Sequence, residues 1–237
     1  MMTAVLMKRQ GIPIDVVLFA DTGLEFPEMY EYLGVAERYI GTKITRVRAD
    51  ITFEDEFYRV RGYRSKHEGQ INGWPFIRGC YWNKLGKMEP LIKAMGDLGK
   101  YEEYVGISAE EGDRYERLIM TRQGRHSPLY EAGITGDIAK KELRAMGLLN
   151  PLYDRFHRLG CYLCPQQRLS SLRKVRQFYP ALWAHMMELD GDSPHSFKIH
   201  DRATVHDLDF RFAMEAGEID GRQYEKRGKH WQQRMAL

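Results

Sequence analysis

Three cysteines are the residues of this sequence whose type and spacing most directly suggest chemistry. Cys161 and Cys164 form a C-x-x-C motif between a glycine and a proline, and Cys80 lies far upstream. The pair is consistent with two buried thiols, or with a redox dithiol in which a helix N-terminus lowers the pKa of one thiol. In a third interpretation the two thiolates bind a metal ion or cluster and Cys80 supplies a third ligand. His157, which precedes the motif, could complete such a site, although a surface histidine is the simpler interpretation.

A second group of polar residues follows an apolar run. Residues 14–20 are predicted to form a strand buried on both faces, as in a parallel sheet. Ligands of such sheets bind beyond the carboxyl ends of the strands, and Asp21, Thr22 and Gly23 stand at that point. Asp21 could accept bonds from ribose hydroxyls, Thr22 could donate to a phosphate or a base, and Gly23 would let the backbone approach closely. A turn with a capping aspartate also explains these three residues.

Basic residues are concentrated in two segments. Residues 59–79 contain four glycines, one proline and several cations, including Arg61 and Arg64. We predict a long mobile loop there, and loops of that length are commonly functional. Arg168 and Arg173 belong to a helix predicted after the C-x-x-C motif, where they could neutralise a phosphate, a sulfate or a nucleic-acid backbone. An ordinary solvated face is the alternative.

Histidine and aromatic residues near these segments carry weaker signals. His195, His200 and His206 match no common metal-ligand spacing and are predicted to be surface residues. Four aromatic side chains could stack a base beside the cysteines, or could simply hold the long loop in place; they are Trp74, Phe76, Tyr81 and Trp82.

The elements that must position these residues alternate between strands and helices. Strands are predicted over residues 14–20, 43–49 and 104–108, and helices over 1–10, 27–40, 89–98, 135–146, 166–178, 180–189 and 204–216. Strand, helix and strand over residues 14–49 indicate a right-handed βαβ unit. The sequence therefore predicts an α/β fold with a parallel sheet and a helical C-terminal third.

Composition narrows the class of protein. The 237 residues are 43% hydrophobic and 29% charged, which excludes disordered, collagen-like and membrane-spanning chains. A net charge of +3 permits anionic ligands without by itself indicating nucleic acid. Three cysteines, an odd number in a chain without a recognisable secretion signal, predict the reducing cytoplasm. We expect no membrane partner, and self-association is a candidate interaction.

Longer motifs add a family resemblance. The string VVLFADTGLEFPE over residues 16–28 resembles the second strand and following loop of the phosphoadenosine phosphosulfate (PAPS) reductase family, which belongs to the adenine-nucleotide α-hydrolase group. Further segments agree in order, namely KMEPL at 87–91, YVGI at 104–107 with Arg114 beyond it, NPLY at 150–153 and GCYLCP at 160–165. The resemblance implies a three-layer, mostly parallel sheet flanked by helices, with an adenine nucleotide across the strand ends. Residues 1–190 would then form the nucleotide-binding domain, and residues 191–237 a helical extension and basic tail.

The resemblance also implies particular binding residues. Those expected at the nucleotide are Asp21, Thr22, Gly23, Gly106 and Arg114. From their charge, the residues expected to bind anions are Arg61, Arg64, Lys87, Arg168 and Arg173. Family members carry a Ser-Gly-Gly-Lys-Asp-Ser phosphate loop before the first helix, whereas here the corresponding helix already begins at Met2. Either the chain starts at an internal methionine or the loop that holds phosphates has been lost. We therefore expect weak binding of adenosine nucleotides.

Iron–sulfur members of the family place a Cys-Cys pair upstream of the C-x-x-C motif. Cys80 and Tyr81 stand at the position of that pair, so Cys80, Cys161 and Cys164 would hold a [4Fe–4S] cluster with one open iron. This arrangement resembles the sulfur-inserting tRNA thiolases of the same group, and Zn²⁺ is the alternative metal. The family's reductases use a further cysteine near the C-terminus, and no cysteine follows Cys164. Their thiosulfonate chemistry is therefore not implied.

Three classes of function follow from these expectations. The first is an adenine-nucleotide-dependent enzyme of sulfur metabolism, either an ATP-dependent sulfurtransferase or a relative of the reductases that binds an adenosine sulfonucleotide. Its candidate partners are thioredoxin, ferredoxin or another sulfur donor, and nucleic acid. The second is a catalytically silent module that binds a nucleotide or nucleic acid. The third is a structural subunit whose cysteines bind zinc.

Overall fold

A computed structural model describes residues 1–63, 65–75, 79–118, 124–198 and 203–220. The chain folds as two compact units, each assembled from separate stretches of sequence. Unit 1 consists of Met1–Asp21, Phe26–Val47 and Glu89–Asp154. Unit 2 consists of Thr22–Glu25, Arg48–Met88 and the described residues from Arg155 onward. The predicted division into a nucleotide-binding domain and an extension at residue 190 stays a prediction.

The first strand pair of unit 1 confirms the predicted strand–helix–strand order. Strand β1 (Val17–Ala20) pairs in parallel with β2 (Ile44–Val47), and helix α2 (Pro27–Ile40) connects them. A proline opens α2, where its missing N–H costs nothing, and Gly41 ends it with a φ of +84°. All four residues of β1 are half-buried, so the expected burial on both faces is not complete.

The second strand pair is shorter than predicted. Strand β3 (Glu103–Tyr104) pairs in parallel with β4 (Arg125–His126). Beyond it the buried Ser127 hydroxyl donates to the carbonyl of Ile107 and accepts from its N–H. The Ser127 side chain thus takes the place of the strand-to-strand backbone hydrogen bonds at Ile107. This explains why the predicted strand over residues 104–108 stops early. The described strands form two separate pairs, and a single three-layer sheet stays a prediction.

Three helices of unit 1 form its main apolar cluster. They are α1 (Met2–Arg9), α6 (Pro128–Glu131) and α7 (Gly136–Ala145). The buried members of the cluster are Met2, Val5, Leu6, Leu129, Ala139 and Leu143. Unit 1 also contains α4 (Glu89–Gly96), α5 (Gly112–Leu118) and a 3-10 helix (Pro151–Asp154). The apolar residues of α1 therefore explain why a helix forms at the start of the chain.

Unit 2 is helical, as the prediction of a helical C-terminal third required. Its helices are α3 (Phe53–Phe57), a π-helix (Asn83–Met88), α8 (Leu169–Phe178), α9 (Pro180–Asp192) and α10 (Val205–Glu215). Part of the predicted long loop is a hairpin-like turn closed by an antiparallel bridge between Val60 and Ile71. The predicted basic tail over 221–237 lies outside the described residues. No described helix is long and apolar enough to cross a membrane.

A chain of buried aromatic rings runs through unit 2. Ring centroids are 5.7 Å apart for Trp82–Phe53, 5.8 Å for Phe53–Phe57, 5.4 Å for Phe57–Trp74 and 5.0 Å for Trp74–Phe197. The Phe53–Phe57 pair is tilted and the other three are edge-on, and aromatic pairs of this kind stabilise a core beyond simple burial. Trp74 and Trp82 are buried, so their rings hold the long loop in place and do not face a base. Phe76 lies outside the described residues.

Candidate functional site

The C-x-x-C motif lies on an irregular loop that precedes α8. Its turn is closed by a bond from the N–H of Cys164 to the carbonyl of Cys161, at 3.1 Å. The amide of Gln167 donates to the carbonyls of Cys161 and Tyr162 at 2.9 and 2.7 Å, and Lys198 donates to two further carbonyls of the loop. The loop is therefore fixed by side chains that satisfy its backbone oxygens.

The segment around Cys80 is anchored by a tryptophan. The Trp82 ring is buried and covers Gly86 inside the π-helix, where a Cβ atom would lie 2.4 Å from the indole. Only glycine fits there. The N–H of Asn83 donates to the sulfur of Cys80 at 3.3 Å. A π-helix inside a helical run commonly marks a functional position, and this one sets the direction in which the chain leaves Cys80.

The turn after β1 is organised by Glu25. Its carboxylate accepts bonds from the N–H groups of Thr22 and Leu24 and from the Thr22 hydroxyl, the last at 2.7 Å. Gly23 has a φ of +78°, a left-handed conformation that favours glycine. Sequence analysis overlooked Glu25, although an acidic residue three positions after a threonine in a turn is a recognisable capping signal.

These three segments converge in unit 2. The Thr22 hydroxyl lies 3.7 Å from the sulfur of Cys161. The indole N–H of Trp82 donates to the carbonyl of Thr22 at 3.2 Å, and the N–H of Tyr162 donates to the carbonyl of Leu24 at 2.9 Å. The structure therefore brings part of the predicted nucleotide motif to the predicted cysteine site.

The three thiols are close enough to influence one another electrostatically. Burial is the main reason that the pKa of Cys161 is raised from its usual 9.0 to about 11. The bond with the Thr22 hydroxyl opposes this shift, and the nearby Glu25, Cys164 and Cys80 add to it. Burial also raises the pKa of Cys80 and that of Cys164. Backbone N–H groups donate to both sulfurs and thereby lower the two pKa values in part. The positive charges of Arg158 and Lys198 also lower the pKa of Cys164.

These pKa values differ from those of a redox dithiol, which was one of the three interpretations of the motif. Reactive dithiols have a lowered pKa, whereas burial raises both here. The lowering was expected from a helix N-terminus, but α8 begins only at Leu169, after the motif has ended. The interpretation of the motif as a redox dithiol is therefore the least favoured of the three.

The Thr22 hydroxyl contacts both Glu25 and Cys161. The Thr22 hydroxyl donates to Glu25, so the protonated Cys161 must be the donor in its contact with the Thr22 oxygen. Once Cys161 loses its proton, its sulfur becomes an acceptor and competes with Glu25 for the hydroxyl. The ionisation of Cys161 is thereby coupled to the turn after β1.

The three cysteine sulfurs and the N–H groups around them have some of the features of a site that binds a cofactor through thiolates. Three sulfur atoms belong to one region, and N–H groups donate to two of them, as is usual for sulfur ligands of iron. Among the described residues, no three His, Cys, Asp or Glu side chains are grouped closely enough to hold a single metal ion. His157, the suggested additional ligand, is exposed.

The remaining predicted nucleotide residues belong to unit 1. Asp21 is buried, and its carboxylate accepts a bond from the Tyr30 hydroxyl at 2.8 Å. Gly106 is exposed just beyond β3, and Arg114 forms an ion pair with Glu111 at 2.8 Å. Tyr30, which orients Asp21, carried no signal in the sequence.

The predicted anion-binding residues differ from one another in their surroundings. Lys87 and Arg168 are exposed, and Arg64 lies outside the described residues. Arg173 pairs with Glu215 of α10 and stacks on Phe212. The charge of Arg173 is therefore met within unit 2, contrary to the expectation of an open anion site.

Arg61 and the histidines also depart from the simplest prediction. Arg61 donates to Asn72 and to the ring of His195, so His195 is more than a surface residue. His206 bonds to the buried carboxylate of Asp190 at 2.9 Å. His200 lies outside the described residues.

A row of three polar side chains also ends beside the cysteines. The buried Tyr162 hydroxyl lies 2.7 Å from Nδ1 of His185, and Nε2 of His185 lies 3.5 Å from a carboxylate oxygen of Glu54. These residues are far apart in sequence, so no motif could have indicated the contact.

Comparison with known proteins gives two findings. The family model described as phosphoadenosine phosphosulfate reductase domain matches residues 1–167. An uncharacterised protein of Methanocaldococcus jannaschii is 28% identical over 200 residues, which cover 75% of this chain and 36% of that protein. The chain thus corresponds to little more than a third of that relative.

Proposed function

The chain belongs to the phosphoadenosine phosphosulfate reductase domain family, a nucleotide-related family of sulfur metabolism, and we propose that it is an adenine-nucleotide-dependent enzyme of sulfur transfer or reduction. The observation that carries this proposal is the contact between the turn after β1 and the cysteine loop, with Thr22 at 3.7 Å from Cys161. A nucleotide held at that turn would lie near the sulfur chemistry.

Cys80, Cys161 and Cys164 would hold an iron–sulfur cluster. Because all three have a raised pKa, each must lose its proton when a metal binds, so loading would be favoured at alkaline pH. The N–H groups that donate to Cys80 and Cys164 would stabilise the resulting thiolates. When bound, a cluster with three protein ligands would supply one iron that is open to a sulfur ligand.

Asp21, Thr22 and Gly23 would contact the nucleoside. The Asp21 carboxylate, oriented by Tyr30, would accept a ribose hydroxyl, and Gly23 would admit the ligand to the backbone. In the sulfur-transfer reaction, ATP would adenylate an oxygen of the acceptor with release of pyrophosphate. Sulfide would then displace AMP, so that a carbon–sulfur bond replaces the carbon–oxygen bond.

Calorimetric titration with ATP and with adenosine 5′-phosphosulfate tests the nucleotide part of the proposal. We expect weak binding that is largely lost in Asp21→Ala and kept in Asp15→Ala, which removes the same charge from an exposed position before β1. Circular dichroism establishes whether both variants fold.

Several outcomes would contradict the proposal. Binding that is unchanged in Asp21→Ala would remove Asp21 from the site. Absence of binding to either nucleotide would favour a silent module. Binding of nucleotide by a protein that contains zinc and no iron would favour the structural zinc alternative for the cysteines.

A further inference from the structure

Unit 2 contains a pocket that neither the cysteines nor the turn after β1 form. Its volume is about 560 Å³, within the range of small-molecule sites. We call it the Arg61 pocket, and the residues that line it are Arg59, Arg61, Gly62, Tyr63, Ser65 and Asn72. The hairpin-like turn between Val60 and Ile71 supplies most of this lining.

The charge of the pocket resides on Arg61. Arg59 also lines it, but its guanidinium is bound in a forked pair to the buried carboxylate of Glu56, at 2.8 and 2.7 Å. Arg61 has no carboxylate partner among the described residues. Its Nε and Nη2 groups donate to the side chain and backbone of Asn72 and to His195, while Nη1 meets no acceptor in the described part of the chain.

The guanidinium of Arg61 is held in a fixed orientation. Asn72 is buried, and its amide group donates to the carbonyl and carboxylate of Glu56 at 2.9 and 3.0 Å. Asn72 Oδ1 then accepts from Arg61 at 3.2 Å. A network that fixes an arginine through an uncharged amide leaves its positive charge available to a ligand.

Two neighbours of Arg61 make the environment suitable for an anion. Nε2 of His195 lies 3.0 Å from Nη2 of Arg61, and because arginine can only donate, the ring of His195 must be neutral and accept. The hydroxyl of Ser65 accepts from the N–H of His67, which leaves its own proton to donate.

We propose that the Arg61 pocket binds the terminal sulfate or phosphate group of a small molecule. A planar guanidinium with an unengaged edge matches two oxygens of such a group. The volume of this open pocket exceeds that of the bare oxyanion, which leaves room for an organic part of the ligand. Among the described residues that line the pocket, Arg61 is the one cation without a carboxylate partner, whereas a nucleic-acid backbone needs several phosphate contacts.

Sulfate is the probe that tests the proposal, because its charge does not change near neutral pH. In calorimetry, sulfate should release or absorb binding heat with the wild-type protein that chloride at equal ionic strength does not reproduce. Arg61→Gln should weaken binding about tenfold, the size expected for a charge-assisted bond. Lys66→Gln is the matched control, since it removes one charge from the same turn at a residue that does not line the pocket.

Three further measurements separate this site from others. Asp21→Ala should keep its affinity for sulfate, because Asp21 belongs to unit 1 and to the nucleotide proposal alone. Titrations with phosphate and adenosine 5′-monophosphate distinguish a sulfate group from a phosphate group. Arg61→Lys keeps the positive charge but lacks the two parallel N–H donors of the guanidinium, so it should bind sulfate with intermediate affinity. This variant provides a second test if Arg61→Gln does not fold.

Certain results would overturn the proposal. One is sulfate binding that Arg61→Gln and Lys66→Gln weaken equally, which would indicate a diffuse charge effect. Another is no binding of sulfate, phosphate or adenosine 5′-monophosphate by the folded wild-type protein. A third is tight binding of a single-stranded oligonucleotide by a protein that binds none of the small anions, which would assign the turn to nucleic acid.

Discussion

The hydroxyl oxygen of Thr22 lies 3.7 Å from the sulfur of Cys161. Two motifs separated by most of the chain are therefore neighbours in unit 2. The same hydroxyl donates to Glu25 at 2.7 Å while Cys161 is protonated, and once Cys161 ionises its sulfur competes with the carboxylate for that one proton. Any event that removes the Cys161 proton changes the bonding of the turn after β1.

The first prediction concerns this shared proton. In the metal-free protein, Thr22→Val should raise the pKa of Cys161, because the thiolate loses its donor. A bond to a charged sulfur contributes on the order of 1 kcal/mol, so alkylation of Cys161 by iodoacetamide near pH 9 should slow roughly fivefold. Peptide mass spectrometry measures that rate. Thr22→Ser keeps the hydroxyl and should react like the wild type; equal rates in the Val and Ser variants would contradict the coupling.

The second prediction concerns Gly86, over which Trp82 packs. Gly86→Ala places a Cβ atom 2.4 Å from the indole ring, and overpacking of this kind costs about 1–3 kcal/mol. Urea unfolding should show that loss of stability, together with a change in tryptophan fluorescence. Gly96→Ala is the matched control, because no atom lies within 4 Å of its new Cβ. That variant should be as stable as the wild type or slightly more so.

The third prediction is the metal content. Protein purified without oxygen should be brown and contain iron and sulfide in equal amounts. Each change among Cys80→Ser, Cys161→Ser and Cys164→Ser should remove most of the iron, since two thiolates do not retain a cluster in water. A colourless protein with one Zn²⁺ per chain would support the zinc alternative. A protein without metal, indifferent to Cys80→Ser, would restore the redox dithiol.

The fourth prediction follows from the raised pKa of Cys161. Burial holds the thiol neutral up to a folded-state pKa of about 11, whereas in the unfolded chain it ionises near its usual 9.0. Its contribution to stability is thus complete below pH 9.0 and is lost as the pH rises to about 11. The free energy of unfolding of the metal-free protein should fall over that window. The fall should be shallower in Cys161→Ala, and equal slopes would show that the thiol is exposed.

The fifth prediction tests His195 beside the Arg61 pocket. Burial lowers the pKa of His195, and the positive charge of Arg61 and the ring of His67 lower it further. A bound sulfate would favour the protonated ring, so the affinity for sulfate should increase as the pH falls from 8 to 5. Calorimetry at several pH values measures this, with His195→Gln as the control that should show a flatter profile. The same slope in both proteins would assign the effect to His67 or to other groups.

Much of the fold was readable from local patterns. Pro27 and Gly41 mark the ends of α2, and the apolar runs of β1 and β2 predicted their parallel pairing. The end of α8 at Phe178 and the start of α9 at Pro180 were also predicted, whereas α8 begins, and α9 ends, three residues later than expected. These features depend on residues close in sequence, so a pattern suffices. The end of β3 could not be predicted in this way, because the Ser127 hydroxyl that replaces the backbone hydrogen bonds of the strand comes from a distant segment.

The sequence by itself determined the family and the residue types of the site. The string around Asp21-Thr22-Gly23 and the C-x-x-C motif identified a nucleotide-related family of sulfur metabolism, and the family model over residues 1–167 confirms it. Motifs of this kind are contiguous, and their chemistry is set by side-chain type.

Only the tertiary structure decided which of these residues meet. It joined Thr22 to Cys161, paired Arg173 with Glu215, and left Arg61 with a neutral histidine in place of a carboxylate. It also raised the pKa of both thiols of the motif, whereas the redox interpretation, one of three that the motif allowed, required one of them to be lowered. Burial and the distance between charges govern these outcomes, and both arise only when segments remote in the chain pack together.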